Sequence, residues 1–358
     1  MWRGRPRPRV CQWILNQALE HSHLSMGLQY DQLRARSPVP RTMKVFHKLD
    51  DIPASFGPTL LSVGNFDGVH RAHTRVLDNI VRRAREQECK AVAVSFEPHP
   101  IRILRPDSGL KLLTPTPEKL RLLEATGLDA VLLLPFTRDL SLMTPHDFAH
   151  DVLKKSLQAR EVHEGYNFHF GNKAAGDINL LAEYGREMGF EVKVYPELRL
   201  RGESVSSTQI RKLLNEGRVS RARHLLARPF SILSTAGRGR GYGARYTVPT
   251  INLSRYEELV PRDGVYISRT RVGRECFDSV TNVGNRPTFG AESFAIETHL
   301  LDFHPLELNP ETEVEIHFLQ RLRDEIKFPM VDALREQIGK DVRKAQRYFR
   351  LLKLKDCR

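Results

Sequence analysis

The chain has 358 residues, which predicts two domains at roughly 100–200 residues per domain. Hydrophobic residues make up 40% and charged residues 28%, a globular composition that excludes a wholly disordered chain. The formal net charge of +13 favours a polyanionic partner, nucleotide or nucleic acid, and no apolar run approaches the ~20 residues of a membrane span.

Residues 1–42 do not have the pattern of a domain. They contain seven Arg and no Lys against Glu20 and Asp31, a net charge of +5. They lack the apolar segment of a secretory signal. We therefore predict a disordered basic extension or translation from an upstream start codon, with the folded pattern beginning at Met43.

Strands alternate with helices over the next 180 residues, which predicts a parallel sheet covered on both faces. The predicted strands are residues 60–63, 91–96, 130–134 and 192–195. The helix after the first strand is predicted from apolar residues at helical spacing, and further helices are predicted at 117–126, 145–158 and 178–188.

The segment Gly64–His73 follows the first strand and opens the first helix. A helix N-terminus attracts phosphate through its free N–H groups and dipole. His70 and His73, three residues apart, can lie on one side of the first turn and stabilise a transferring phosphoryl group. A structural or metal-binding pair is also possible, but the glycines and the strand–loop–helix context favour phosphate.

A second polar cluster, Val205–Arg211, stands at a later predicted helix start. Hydroxyl groups in such places are usually only N-caps. Here Arg211 lies one turn beyond Ser207 and Thr208, so that hydroxyls and guanidinium could converge on one phosphate. Both interpretations stay open at this point.

After about residue 228 the apolar pattern changes to a period of two, which predicts an antiparallel sheet or small barrel. The predicted strands are residues 264–272, 277–283, 293–300 and 314–318, and a final helix is predicted at 329–352. The domain boundary is expected near residues 222–229.

Three features of this second half bear on chemistry. The Gly- and Arg-rich run 237–243 is by itself weak evidence for a phosphate site, because such runs are often flexible loops or RNA-binding tails. Its glycines do, however, permit the backbone to approach phosphates closely. Thr250 and Asn252 alternate onto one face and offer two oxygens to Mg²⁺, unless they only form a proline-interrupted edge strand. Glu297, within a strand, is either a functional carboxylate or a solvent-facing residue.

These segments, in this order, resemble the bacterial bifunctional riboflavin kinase/FAD synthetase family. Gly64–His73 resembles its version of the nucleotidyltransferase H-x-G-H motif. The other similar stretches are 43–61, 95–100, 165–171, 207–211, 249–252, 282–289 and 297–302. The chain departs from the family at Ala72, where Gly is usual, at Ala175, near a position that is often basic, and at 244–248, where L-G-F-P usually precedes the P-T-x-N signature.

The resemblance implies an α/β nucleotidyltransferase-type domain with a Rossmann-like parallel sheet at 43–225. An antiparallel β-barrel riboflavin kinase domain with a C-terminal helix is implied at 229–352. The kinase would phosphorylate riboflavin to FMN with ATP, and the first domain would join FMN to AMP, giving FAD and pyrophosphate. The alternatives are a monofunctional enzyme with one decayed site, or a basic nucleic-acid-binding protein on the same scaffold.

The resemblance also implies residue roles. Glu297 would be the base for the kinase, with Thr250 and Asn252 holding Mg²⁺. The implied catalytic groups of the first domain are His70, His73 and Arg211. The implied phosphate ligands are Gly64, Asn65, Phe66, Asp67, Ser207, Thr208, Gly239 and Gly241, and the implied flavin ligands are Asn167 and Arg286.

The expected partners are riboflavin, FMN, FAD and ATP, with neither a membrane nor nucleic acid, since no nucleic-acid-binding motif is present. The four cysteines have no paired spacing, which argues against disulfides and zinc and favours the cytoplasm. The sequence predicts no particular oligomeric state.

Overall fold

The computed structural model describes residues 42–237, 250–285 and 294–356, apart from 305, 307, 310, 327 and 329. These residues form two compact units, one ending at Gln209 and one starting at Ile210. No helix in the described part of the chain is both long and apolar enough to cross a membrane.

The first unit, 42–209, is built on a six-stranded parallel sheet in the order β1-β4-β3-β2-β5-β8. Its strands are β1 (Lys44–Phe46), β2 (Thr59–Val63), β3 (Lys90–Glu97), β4 (Ala130–Pro135), β5 (Ala159–Gly165) and β8 (Glu191–Tyr195). Two short hairpins complete the unit: β6 (His169–Phe170) with β7 (Gly176–Asp177), and β9 (Arg199–Leu200) with β10 (Glu203–Ser204). The predicted parallel sheet is confirmed.

Helices cover this sheet on both faces. They are α1 (Arg71–Glu86), α2 (Pro100–Leu104), α3 (Thr116–Glu124), α4 (Arg138–Leu142), α5 (Pro145–Asp147) and α6 (Ile178–Met188), and α5 continues as the π-helix Phe148–Ser156. Successive strand residues enter opposite apolar cores: Leu60 packs in one and Leu61 in the other. This two-sided burial explains the continuous apolar runs of β2, β3 and β4.

The strand order places the functional edge of this sheet. From β2 the chain moves outward through β3 to β4, and it later returns to the other side of β2 as β5. The carboxyl ends of β2 and β5 therefore meet at a topological switch point, where open α/β sheets form ligand-binding crevices. The segments that follow these strands begin at Gly64 and Tyr166.

The second unit is a six-stranded antiparallel sheet in the order β11-β16-β13-β14-β15-β12. Its strands are β11 (Phe230–Thr235), β12 (Thr250–Asn252), β13 (Gly264–Val272), β14 (Glu275–Asn285), β15 (Phe294–Leu300) and β16 (Glu313–Arg323). The two edge strands, β11 and β12, approach each other. The Gly237 N–H donates to the Asn252 carbonyl at 2.8 Å, and the Ser254 N–H donates to the Thr235 carbonyl at 2.9 Å. The sheet is thus curled, which confirms the predicted barrel-like fold.

The two units divide within helix α7 (Ser207–Asn215), and helices α8 (Val219–Leu226) and α9 (Val331–Asp356) belong with the barrel. Helix α8 packs on β11 and β16, although the expected boundary near 222–229 assigned it to the first domain. Helix α9, the predicted final helix, covers one barrel face by packing Ala345 and Phe349 against Val265 and Ile267. The opposite face carries fully buried hydroxyls that bond to one another, among them Ser268 and Thr281 at 2.6 Å.

Candidate active sites

A cleft of about 1170 Å³ opens at the switch point of the first unit. Its walls contain most of the residues that the sequence predicted for this half of the chain, namely Gly64, Asn65, Phe66, His70, His73, Asn167, Ser207 and Thr208. Ala72, the departure from the family motif, also lies in the wall. Asp67 is not part of the wall, and Arg211 lies one turn further along α7, in the second unit.

The loop between β2 and α1 has an unusual backbone. Phe66, Gly68 and Val69 all have positive φ, at 47°, 88° and 36°. A positive φ is rare for residues other than glycine, and rarest for β-branched residues such as Val69. Such strained backbone persists only where the surrounding structure holds it, and it clusters at ligand sites.

Asp67 supplies that support. Its buried carboxylate accepts hydrogen bonds from the backbone N–H groups of Leu113 and Thr114, each at 3.0 Å. The Gly68 N–H in turn donates to the Thr114 hydroxyl at 2.7 Å. Asp67 was expected to be a phosphate ligand, but its carboxylate bonds to the protein backbone.

The two histidines form one stacked unit at the start of α1. His70 is the N-cap residue, and its Nδ1 accepts the His73 N–H at 3.4 Å. The rings stack with centroids 3.6 Å apart, and the Phe66 ring meets His73 edge-on at 5.2 Å. Because Nδ1 of His70 accepts, its neutral ring carries the proton on Nε2, a suitable donor for phosphate oxygens.

The hydroxyls of the second polar cluster have different roles. Ser206 caps α7, since its Oγ accepts the Gln209 N–H at 3.3 Å. Ser207 donates to the Asp67 carbonyl at 2.8 Å, which joins the start of α7 to the loop before α1. Thr208 is exposed in the cleft wall. The two motifs, separated by 140 residues, therefore meet directly.

Sequence reasoning missed several cleft residues. Four cationic side chains belong to the wall, Arg75, Arg105, Arg138 and Lys173, and their charge suits a polyanionic ligand. Lys173 lies two residues before Ala175, so the cleft has a basic residue near the position where the family often has one. The cleft wall also has aromatic rings that could stack on planar ligands: Phe136, and within the family-like stretches 95–100 and 165–171 Phe96, Tyr166 and Phe168.

A chain of hydrogen bonds, buried at Glu161 and His163, reaches the cleft from α1. Arg83 binds both carboxylate oxygens of Glu161, at 2.7 and 2.5 Å, and lowers the pKa of that carboxyl to about 2. His163 contacts Glu161 through Nε2 at 2.9 Å and the Tyr195 hydroxyl through Nδ1 at 2.8 Å. Burial lowers the pKa of His163, so a neutral ring donates to Glu161 and accepts from Tyr195, which lines the cleft.

In the second unit, strand register aligns three polar residues on one face of the barrel. Asn252 of β12 pairs with Glu297 of β15, and Glu297 pairs with Asn282 of β14. Directly opposed residues project to the same side with Cβ atoms about 4.5–5.5 Å apart. Thr250, two residues before Asn252, shares that face. The strand register therefore brings Thr250, Asn252 and Glu297 together on one face.

These oxygen donors are the kind that Mg²⁺ prefers. Among the described residues, no group of three or more His, Cys, Asp or Glu side chains is placed to hold a metal ion. Three further predicted ligands, Gly239, Gly241 and Arg286, lie outside the described residues.

Comparison with known proteins follows the same division of the chain. A family model for FAD synthetase matches residues 53–209, and one for riboflavin kinase matches residues 226–349. The chain is 31% identical to the bifunctional riboflavin kinase/FMN adenylyltransferase of Escherichia coli (strain K12), over 87% of this chain and 99% of the relative. It is 30% identical to the protein of the same name from Buchnera aphidicola subsp. Schizaphis graminum, over 87% and 100%.

A solved structure is also similar. It is titled a crystal structure of a macrolide-efflux protein from Streptococcus pneumoniae, and it matches with a TM-score of 0.77 and 25% identity. The match covers 85% of this chain and 99% of the other. The likeness thus extends over both units.

Proposed function

The chain belongs to the family of bifunctional riboflavin kinase/FMN adenylyltransferases and acts in flavin cofactor synthesis, and we propose that each unit carries one of the two steps. The second unit phosphorylates riboflavin at its ribityl 5′-hydroxyl. The first joins FMN to AMP from a second ATP. The observation that carries this assignment is that the FAD synthetase match ends at residue 209, where the first unit ends, while the riboflavin kinase match lies wholly in the second. The domains predicted from the sequence at 43–225 and 229–352 are proposed to correspond to these two units, which divide between Gln209 and Ile210.

In adenylyl transfer an oxygen of the FMN phosphate attacks the α-phosphorus of ATP, and the bond to the pyrophosphate oxygen breaks. The nucleophile is already an anion, so alignment and charge stabilisation are sufficient and no base is required. We assign His70 and His73, at the positive end of α1, to the charge that develops on the phosphate oxygens. Thr208 and Arg211 are proposed phosphate ligands, and Asn167 a proposed flavin ligand.

The kinase step has a different requirement, because a hydroxyl is a poor nucleophile until a base accepts its proton. We assign that role to Glu297, supported by its direct cross-strand pairing with Asn252. Thr250 and Asn252 would hold Mg²⁺ through their side-chain oxygens. When bound, the ion neutralises charge on the transferred phosphoryl group. The cytoplasm is the proposed location, because the four cysteines have no paired spacing.

The test is Glu297→Gln, assayed with riboflavin, ATP and Mg²⁺ and with the fluorescent products separated by chromatography. We expect FMN formation to fall by at least the ~10²–10⁴-fold that general-base catalysis contributes. FAD formation from supplied FMN should be unchanged. Glu313→Gln, an exposed glutamate on β16, is the matched control. A variant at Glu297 that keeps a near-full kinase rate contradicts the assignment, and a parent protein that makes only one product has one decayed site.

A further inference from the structure

The backbone ladder between β2 and β5 ends before either strand does. The pairs Leu60↔Glu161 and Leu61↔Val162 are the last two in register, and the strands separate beyond them, where the cleft opens. On its other side β2 stays attached to β3, since the Gly64 N–H still donates to the Val94 carbonyl at 2.9 Å. The N–H groups of a central strand point alternately to its two neighbours. The preceding N–H, that of Val63, therefore points towards β5, where the ladder has ended.

A side chain takes the place of the absent ladder bond. The Val63 N–H donates to Oε1 of Glu164 at 2.5 Å, and the Ser62 side chain also hydrogen-bonds to this carboxyl. Glu164 is only 4% exposed, yet it belongs to the cleft wall. Its carboxyl group thus spans the gap between two strands at the point from which both ligand-binding segments start.

Glu164 differs sharply from Glu161 on the same strand. Glu161 is ionised beside Arg83, whereas burial raises the pKa of Glu164 well above its ordinary value, and the bonds from Val63 and Ser62 offset this only in part. Burial thus disfavours a negative charge on this carboxyl group. A wall residue of this kind suits a cleft that is proposed to bind polyanionic ligands.

We propose that Glu164 is a positioning residue for adenylyl transfer, an inference that rests on the function proposed above. Its carboxyl group replaces the missing β2–β5 ladder bond and so sets the spacing between the loop Gly64–His70 and the turn Gly165–Phe168. The loop carries the histidines assigned to the phosphates, and the turn carries Asn167, assigned to the flavin. The distance between them determines how well the FMN phosphate aligns with the α-phosphorus of ATP. A misplacement of about 1 Å can cost 10²-fold in rate.

The experiment compares Glu164→Leu with Glu164→Gln in the full chain. Leucine removes the acceptor and leaves the Val63 N–H buried without its partner, so kcat for FAD formation from FMN and ATP should fall about 10–100-fold. KM for either substrate should change less than threefold, because the ligand-contacting groups are retained. Glutamine keeps the acceptor and cannot ionise, so kcat should stay within threefold of the parent. Glu191→Leu, at an exposed position on β8, is the matched control.

Riboflavin phosphorylation, measured in the same preparations, should be unchanged in all variants. Parent-like kcat in Glu164→Leu would overturn the proposal, and so would an equally large loss in Glu164→Gln. If Glu164→Leu does not fold, Ser62→Ala replaces it in the test, because this variant removes one of the two hydrogen bonds to the carboxyl group. We expect a several-fold loss of kcat in Ser62→Ala. An unchanged kcat would overturn the proposal. A parent protein that forms no FAD from FMN refutes the proposed function itself, which distinguishes the two failures.

Discussion

Replacing Asp67 with alanine should destabilise the first unit and disable its cleft, although Asp67 does not line the cleft. Its carboxylate holds the backbone N–H groups of Leu113 and Thr114 in a buried position. A buried amide left without a partner costs about 1–3 kcal/mol, so losing both partners should cost about 2–6 kcal/mol. That is a large fraction of a typical domain stability of about 5–15 kcal/mol.

The companion variant Asp67→Asn retains the side-chain volume and the accepting oxygen, and so separates the loss of charge from the loss of the hydrogen-bond acceptor. Oδ1 accepts both amides at 3.0 Å, so an amide oxygen at that place preserves these two bonds. Oδ2 also accepts the Leu113 N–H at 3.1 Å, and an amide nitrogen in its place cannot accept. This contact and the charge assistance are lost, and we expect a cost of about 1–2 kcal/mol. The order of stability should be parent, then Asn, then Ala.

Urea denaturation of the full chain measures this order, and FAD formation from supplied FMN measures the cleft. Without Asp67 the positive φ angles of Phe66 and Val69 lose their support, so FAD formation should fall together with stability. FMN formation from riboflavin is the internal control, and Asp107→Ala, at an exposed turn position, is the matched variant. An alanine variant with unchanged unfolding free energy would refute the role assigned to the carboxylate.

Three further outcomes are expected. His73→Ala and Arg211→Ala should each reduce FAD formation about 10²–10³-fold and spare FMN formation, as measured by product chromatography, whereas equal loss of both activities would indicate one coupled centre. Glu161, whose pKa falls from 4.5 to about 2 beside Arg83, should contribute about 3 kcal/mol of stability above pH 4.5 and lose it as the pH falls towards 2. Urea denaturation of the parent and Glu161→Gln should show that difference at pH 7 and a smaller one at pH 3. Deleting residues 1–42 should leave both activities intact in the same assays, because the proposed site residues all follow Met43.

Much of the fold could be predicted from local pattern. Continuous apolar runs indicated the two-sided burial of β2, β3 and β4, and period-two alternation indicated the barrel strands. β1 is only three residues long and left little signal. β5 was missed because Glu161, His163 and Glu164 interrupt its apolar residues. Those polar groups are buried only because Arg83, Tyr195 and Val63 bond to them, and no local pattern contains that information.

The candidate sites divide in the same way. The sequence by itself determined that Gly64–His73 lies between a strand and a helix, and that Thr250 and Asn252 share a face, because both follow from local periodicity. Only the tertiary structure decided that Asn252 opposes Glu297, that Ser206 caps α7 while Ser207 bonds to the loop, and that Asp67 supports the backbone. The physical reason is that hydrogen-bond partners far apart in the chain are chosen by how the elements pack.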